Sequence, residues 1–236
     1  MKKYILLSLL LLVGFLLVAI VLSKVSNSRT FQFFGEICPR VETSQKVIAL
    51  TFDDGPTKEH IDEILKILAD ENIKATFFVI GKDIEQNPGQ LEKIIAAGHE
   101  VGNHTYSHER MTTVSSSFVK DEIEKTDTLI RDAGYKETIH FRPPYGKKLF
   151  SLPYYLWQHD RKTITWDVEP ETFVLRANDI INYTITHTKN GSIILLHVFY
   201  DSRKESMKAV QPIIKGLKEK GFEFRTVSDL QKLKGS

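Results

Sequence analysis

Two adjacent carboxylates, Asp53 and Asp54, end an apolar run in "VIALTFDDGP", residues 47–56. Like charges side by side are cheap in water and costly near a core. Either they sit on a solvated turn, for which "DDGP" is good sequence, or something there requires negative charge. Further on, His104 and His108 form an i, i+4 pair in "HTYSH", and Arg142 opens "RPPYG". Trp166 lies in "TWDVEPETF", and Leu195 and His197 close "SIILLH". One carboxylate and two imidazoles make a three-ligand set for a divalent cation, with positions left open for water and substrate. Zn²⁺ is the default occupant, and Co²⁺, Ni²⁺ or Fe²⁺ accept the same donors. The cation keeps a second carboxylate beside it ionised as a general base, and a histidine opposite can protonate a leaving group. The chemistry that suits these residues is metal-assisted hydrolysis.

Taken singly, each residue has a plainer role: a turn, a chance histidine pair, a structural ion pair at Arg142, a rigid proline loop, a strand-end histidine. The elements between them decide. Strands are expected at 47–52, 75–80, 99–103, 139–142, 163–166, 192–197 and 222–226. Helical spacing marks 59–71, 88–97, 115–133 and 203–220, more faintly 177–188, and Gly98, Gly134 and Gly221 stand where helix C-caps belong. Strands alternating with helices imply right-handed crossovers and a parallel sheet. The expected fold is α/β and barrel-like; an open doubly wound sheet competes, but no G-x-G-x-x-G follows the first strand. In a parallel barrel, chemistry gathers at the C-terminal ends of the strands. Asp53 and Asp54 end the first strand, His104 and His108 follow the third, and Arg142 ends the fourth. Trp166 ends the fifth and His197 the sixth. All would meet at one rim, and the plainer roles would have to hold together for every residue at once.

The 236 residues carry 32 Lys and Arg against 30 Asp and Glu, which gives no case for a nucleic-acid partner. A 42% hydrophobic content suits one sizeable core, and a monomer is expected. Cys38 is the only cysteine, so no internal disulfide forms. "MKKY" precedes an apolar run of about 18 residues, at the lower edge for a membrane span and beyond the usual core of a cleaved signal. Residues 1–23 are expected to be an uncleaved anchor, with a signal peptide as the alternative. Lys2 and Lys3 orient the remainder outward. Residues 24–45 are expected to form an extracellular tether with a short strand at "FQFF", and residues 46–236 the catalytic domain. A disulfide-free domain outside the cytoplasm fits the bacterial cell envelope.

From about residue 46 to 232, "TFDDGP", "HTYSH", "RPPYG" and "LLH", in this order, resemble the motifs of the polysaccharide deacetylase family (the NodB-homology domain, carbohydrate esterase family four). The resemblance implies a distorted (β/α)7 barrel, one divalent metal ion, and removal of acetyl groups from polysaccharides. Carried over, it makes Asp53 the general base, Asp54, His104 and His108 the metal ligands, and Arg142 the residue that positions the base. It makes the Tyr145 amide an oxyanion donor and His197 the general acid. Pro144, Trp166 and Leu195 would contact substrate, Leu195 lining the place of the acetyl methyl. Two departures stand out. Thr172 and Phe173 occupy the fourth motif, where the family has an aspartate and an aromatic. Asp167, Glu169 or Glu171 must replace that aspartate, and Glu169 is favoured. Val198 follows the fifth motif where an aspartate is common, which leaves that side more apolar.

The leading expectation is a metal-dependent amidase acting on N-acetylated sugars of peptidoglycan, the polymer within reach of an external, membrane-held domain. The second is a wall-glycan-binding protein that keeps the metal site and turns over weakly or not at all. A glycosidase needs its carboxyl groups roughly 5–10 Å apart across a sugar ring and leaves the histidines without a role.

Overall fold

"VIALTFD" carries apolar residues on both faces, as a central strand of a parallel sheet does. In the computed structural model, which describes residues 2–236, all seven residues of this strand are buried. The chain begins with α1 (Lys2–Asn27), β1 (Ile37–Cys38), β2 (Val47–Asp53), α2 (Ile61–Asp70) and β3 (Thr76–Val79). There follow α3 (Gly81–Gln86), α4 (Gln90–Ala96), β4 (Glu100–Asn103), α5 (Ser116–Asp132), β5 (His140–Phe141) and α6 (Ser151–Gln158). The last part contains β6 (Thr163–Ile164), α7 (Ala177–His187), β7 (Ile193–His197), α8 (Lys204–Glu219), β8 (Glu223–Arg225) and α9 (Val227–Gln231). The strands run parallel in the order β1-β6-β5-β4-β3-β2-β7, and β8 pairs with the first half of β2.

Period-two alternation splits each strand between two cores. Ile48, Leu50 and Phe52 pack outward with Ile194 and Leu196 against the helices. Val47, Ala49, Ile193 and Leu195 face inward with Phe78, Ile164 and Trp166, and α9 supplies Val227 and Leu230. The inward series continues through Thr51 to Asp53 and through Leu195 to His197, so strand phase alone delivers two polar side chains to the barrel mouth. The curled sheet closes along a seam. Val168 bridges Ile194, and the Asp167 carboxylate accepts from the Ser192 hydroxyl (2.8 Å) and the Ile193 amide (2.9 Å). The expected distorted β/α barrel is the fold of the chain.

The expected strand at "FQFF" is absent among the described residues. The buried Gln32 amide donates to the carbonyls of Phe34 (2.7 Å) and Glu36 (3.1 Å), which curls the segment on itself. A strand forms further on, at Ile37–Cys38, paired with β6. The end of α1 and the stretch after it are not free chain. Ser26 accepts a backbone bond from Lys148 (3.3 Å), and the Arg29 carbonyl accepts from the Thr165 hydroxyl (2.7 Å). The short helices α3, α6 and α9 are additions to the sequence reading.

The seam also fixes the tightest glycine. Gly191 has φ +74°, and a Cβ there would lie 1.7 Å from the Val41 carbonyl oxygen. Left-handed backbone and overpacking together make Gly191→Ala cost at least about 2 kcal/mol. Thermal unfolding of the full chain checks this; an unchanged midpoint would mean the seam is not closed at Gly191.

Candidate active site

Asp53 is buried at the end of β2, and a carboxylate in that position persists only if paired. Arg142, itself 0% exposed, supplies the pairing: its Nη1 donates to Asp53 Oδ1 at 2.6 Å and to the Thr51 hydroxyl at 2.8 Å. Its Nη2 donates to the Thr165 carbonyl (3.1 Å), and the guanidinium lies 4.0 Å from the Phe78 ring centroid and 5.5 Å from that of Trp166. Burial alone would raise the Asp53 carboxyl. Arg142, His104 and His197 outweigh it and hold the carboxyl below its ordinary value, so Asp53 is ionised at neutral pH.

Asp54 would point outward if β2 simply continued. Instead its φ is +76°, a left-handed conformation that brings its carboxylate back into the barrel mouth beside that of Asp53. Thr105 (φ +68°), His108 (φ +61°) and Tyr145 (φ +58°) share this region of backbone space. Such residues cost free energy and cluster at functional sites. Asp54, His104 and His108 offer one ligand atom each, all within 4.8 Å of one another. His108 Nε2 is 3.3 Å from Asp54 Oδ1, and His104 Nε2 is 3.9 Å from it. His104 Nδ1 lies 2.7 Å from the Arg142 carbonyl, which can only accept, so Nδ1 carries the proton and Nε2 presents a free lone pair to the cluster. Burial pushes His104 down to about 3, which keeps it neutral.

Asp54 Oδ1 is buried and has no hydrogen-bond partner among the described residues. Burial, and after it the Asp53 charge, pushes the Asp54 carboxyl up against the opposing pull of His197 and His108. A carboxylate short of positive charge, facing the neutral His104 and the ring of His108, fits a divalent cation by its donor chemistry.

Across the mouth, His197 Nδ1 is hydrogen-bonded to Glu171, which also accepts from the His197 amide (3.0 Å) and the Ser206 hydroxyl. Burial opposes the charge on His197, but Glu171, Asp54 and Asp53 lift it to about 9. The carboxylate that meets His197 is therefore Glu171 and not the favoured Glu169. Glu169 faces the other way, accepting from Arg29 (3.0 Å), Trp166 (3.3 Å) and Thr172 (2.8 Å). Asp167 is committed to the seam, and Val198 is buried in the outer core.

A cleft of about 500 Å³ opens over these groups, lined by Asp53, Asp54, His104, His108, Tyr145, Trp166, Leu195 and His197. Pro144 does not line it; it is buried in the turn Pro144–Gly146 that sets Tyr145. Four lining residues were outside the sequence reading: Arg29, Tyr200, Ser202 and Arg203. Arg29 comes from the stretch before the domain, stacks 4.7 Å over the Trp166 ring centroid, and has no motif to mark it.

A family profile described as polysaccharide deacetylase matches residues 40–164. The chain belongs to the polysaccharide deacetylase family. Among relatives, it is 36% identical to the peptidoglycan-N-acetylmuramic acid deacetylase PdaC of Bacillus subtilis (strain 168), over 82% of this chain and 40% of that protein. The chain spans only 31% to 40% of the length of several of its curated relatives. A solved peptidoglycan N-acetylglucosamine deacetylase superposes with a TM-score of 0.77 at 32% identity, covering 82% of this chain and 91% of that one. A family pseudoenzyme from Bacillus anthracis superposes with 0.75 at 28% identity, covering 83% and 68%.

In this deacetylase-family chain both partners of the Asp53–Arg142 pair are buried. Arg142→Met leaves a buried carboxylate without its partner and costs about 3–5 kcal/mol. Adding Asp53→Asn removes that charge and recovers part of the loss. Chemical denaturation of the two variants checks both expectations; a double variant no more stable than Arg142→Met would contradict them.

Proposed function

We propose that the chain is a metal-dependent hydrolase that removes N-acetyl groups from amino sugars of peptidoglycan. The observation that carries this reading is the orphaned Asp54 Oδ1, set against His104 and His108 between an ionised carboxylate and a charged imidazole. Asp54, His104 and His108 would hold the cation, with Zn²⁺ first among those the donors suit. When bound, it would polarise the acetyl carbonyl and acidify water.

The chain's own residues divide the remaining work. Asp53, ionised and held by Arg142, takes a proton from water as oxygen attacks the acetyl carbon. The Tyr145 amide, in its left-handed turn, is the proposed donor to the oxygen where negative charge develops. His197, charged and oriented by Glu171, gives its proton to the nitrogen as the carbon–nitrogen bond breaks. Acetate and a free sugar amine leave. Leu195 supplies an apolar wall at the position proposed for the acetyl methyl.

The peptidoglycan substrate is supported by relatives that are peptidoglycan deacetylases and by α1, which is long and apolar enough to cross a membrane. An anchored domain on the outer face of the bacterial envelope has wall glycan within reach. A second reading, a glycan-binding protein with weak turnover, is favoured by the likeness to a pseudoenzyme and by Thr172 in the fourth motif. The Glu171–His197 bond weighs against it, because it restores the carboxylate that Thr172 lacks.

Acetate release by the full chain from peptidoglycan and from N-acetylglucosamine oligomers tests the reading. Release should stop with EDTA and return with Zn²⁺ or Co²⁺, and Asp53→Asn should lower it by about 10²–10⁴-fold. Retained glycan with no acetate from either substrate would establish the binding protein instead.

The pH profile carries a separate expectation. His197 is the proton donor and is protonated below its raised value, so activity should fall as pH rises through about 9. Glu171→Gln removes the partner that raises it and should move that fall to lower pH, whereas Glu169→Gln should leave it in place. An unmoved profile in Glu171→Gln would remove His197 from the role of acid.

A further inference from the structure

Beside the end of α1 lies a continuous patch of exposed aromatic rings. Phe31, Phe33, Phe150, Tyr154 and Trp157 are 51%, 39%, 46%, 40% and 52% exposed. Phe31 meets Phe33 edge-on at 5.9 Å, and Phe33 stacks on Phe150 at 4.8 Å. Half-buried Phe34 packs against Tyr154 (5.3 Å) and Trp157 (6.2 Å). The helix α6 is apolar on both faces: Leu152, Pro153 and Leu156 are buried, while Tyr154 and Trp157 face out. A helix of that kind needs cover on both sides, and an exposed apolar patch marks a surface that meets a partner.

Geometry and continuity with α1 name the partner. The apolar helix from Lys3 to Asn27 has 25 residues. At about 1.5 Å per residue it spans roughly 38 Å, more than the hydrocarbon core of about 30 Å and less than the 40–45 Å that includes the headgroups. Its end therefore lies at headgroup depth. The patch is fixed to that end. Phe31 is four residues past Asn27, hence no more than about 14 Å away. The Lys148 amide donates to the Ser26 carbonyl (3.3 Å), and its buried ammonium donates to the Ser28 carbonyl. Phe150 and α6 begin just after Lys148. Trp and Tyr, with an apolar body and a polar edge, settle at this depth of a bilayer.

We propose that Phe31, Phe33, Phe150, Tyr154 and Trp157 form a membrane-docking face that enters the headgroup region of the phospholipid bilayer that α1 spans. The proposal rests on the reading of α1 as an anchor and is independent of turnover.

The chain has two tryptophans, and Trp166 is 5% exposed inside the barrel, so Trp157 is the natural probe. The full chain is reconstituted into phosphatidylcholine vesicles brominated near the top of the acyl chains. Docking gives quenched tryptophan emission, loss of that quenching in Trp157→Phe, and poor access of aqueous acrylamide to Trp157. The paired variant Phe31→Ser, Phe33→Ser, with its melting temperature checked, should restore acrylamide access while the chain stays on the vesicles. A chain retained on vesicles with Trp157 unquenched and open to acrylamide overturns the proposal. If N-acetylglucosamine oligomers then shield Trp157, the face binds glycan. A chain that does not stay on the vesicles overturns the anchor and the docking together, and acetate release judges the deacetylase reading separately.

Discussion

A carboxylate and a guanidinium, both almost wholly out of water, meet at 2.6 Å in the middle of the barrel mouth. Isolated, either charge would cost far more than the fold can supply, so each group determines where the other must stand. Arg142 is held by Thr51, by the Thr165 carbonyl and by the faces of Phe78 and Trp166, which come from three different strands or strand ends. Its own carbonyl fixes the tautomer of His104. One residue thus orders both the proposed base and a proposed ligand. Removing it would misplace chemistry on either side of the cleft.

Around this pair the backbone departs from regular structure where the side chains must converge. Asp54, Thr105, His108 and Tyr145 account for four of the six non-glycine residues with positive φ among the described residues. A strand presents alternate residues to opposite faces, so two consecutive aspartates cannot both reach the cleft without such a turn. The strain is borne by a sheet whose strands β2, β3 and β4 are buried along their whole length. The carboxylates are therefore set before any ligand arrives, and less ordering is left for binding to accomplish.

The sheet was legible because burial on both faces of its central strands leaves a plain mark: six of the seven strands from β2 to β8 lie within the expected stretches, and β2 runs one residue past its own, to Asp53. The rim was legible for the same reason, since strand ends locate Asp53, His104, Arg142 and His197 without knowledge of side-chain direction. What escaped depends on contacts that spacing does not encode. Glu169 and Glu171 differ by two positions, and only the turn Pro170–Thr172 decides which of them faces His197 and which faces Trp166. The "FQFF" stretch alternates like a strand, but the Gln32 amide folds it back. Pro144 serves Tyr145 by holding its turn and not by touching the cleft. Arg29 could not be found at all, because a lone arginine ahead of a domain looks like any solvated charge.

That arginine gives the junction after α1 a consequence for how the protein explores its surroundings. Only Ser28 separates the last helical residue from a side chain in the cleft wall. A domain on a long linker samples a hemisphere whose radius grows with the linker. Here there is almost no leash, and for a chain held by α1 the search becomes two-dimensional: the cleft travels with lateral diffusion, at a constant height. Glycan would be met as it passes through that plane, and strands farther out would lie beyond reach whatever their chemistry.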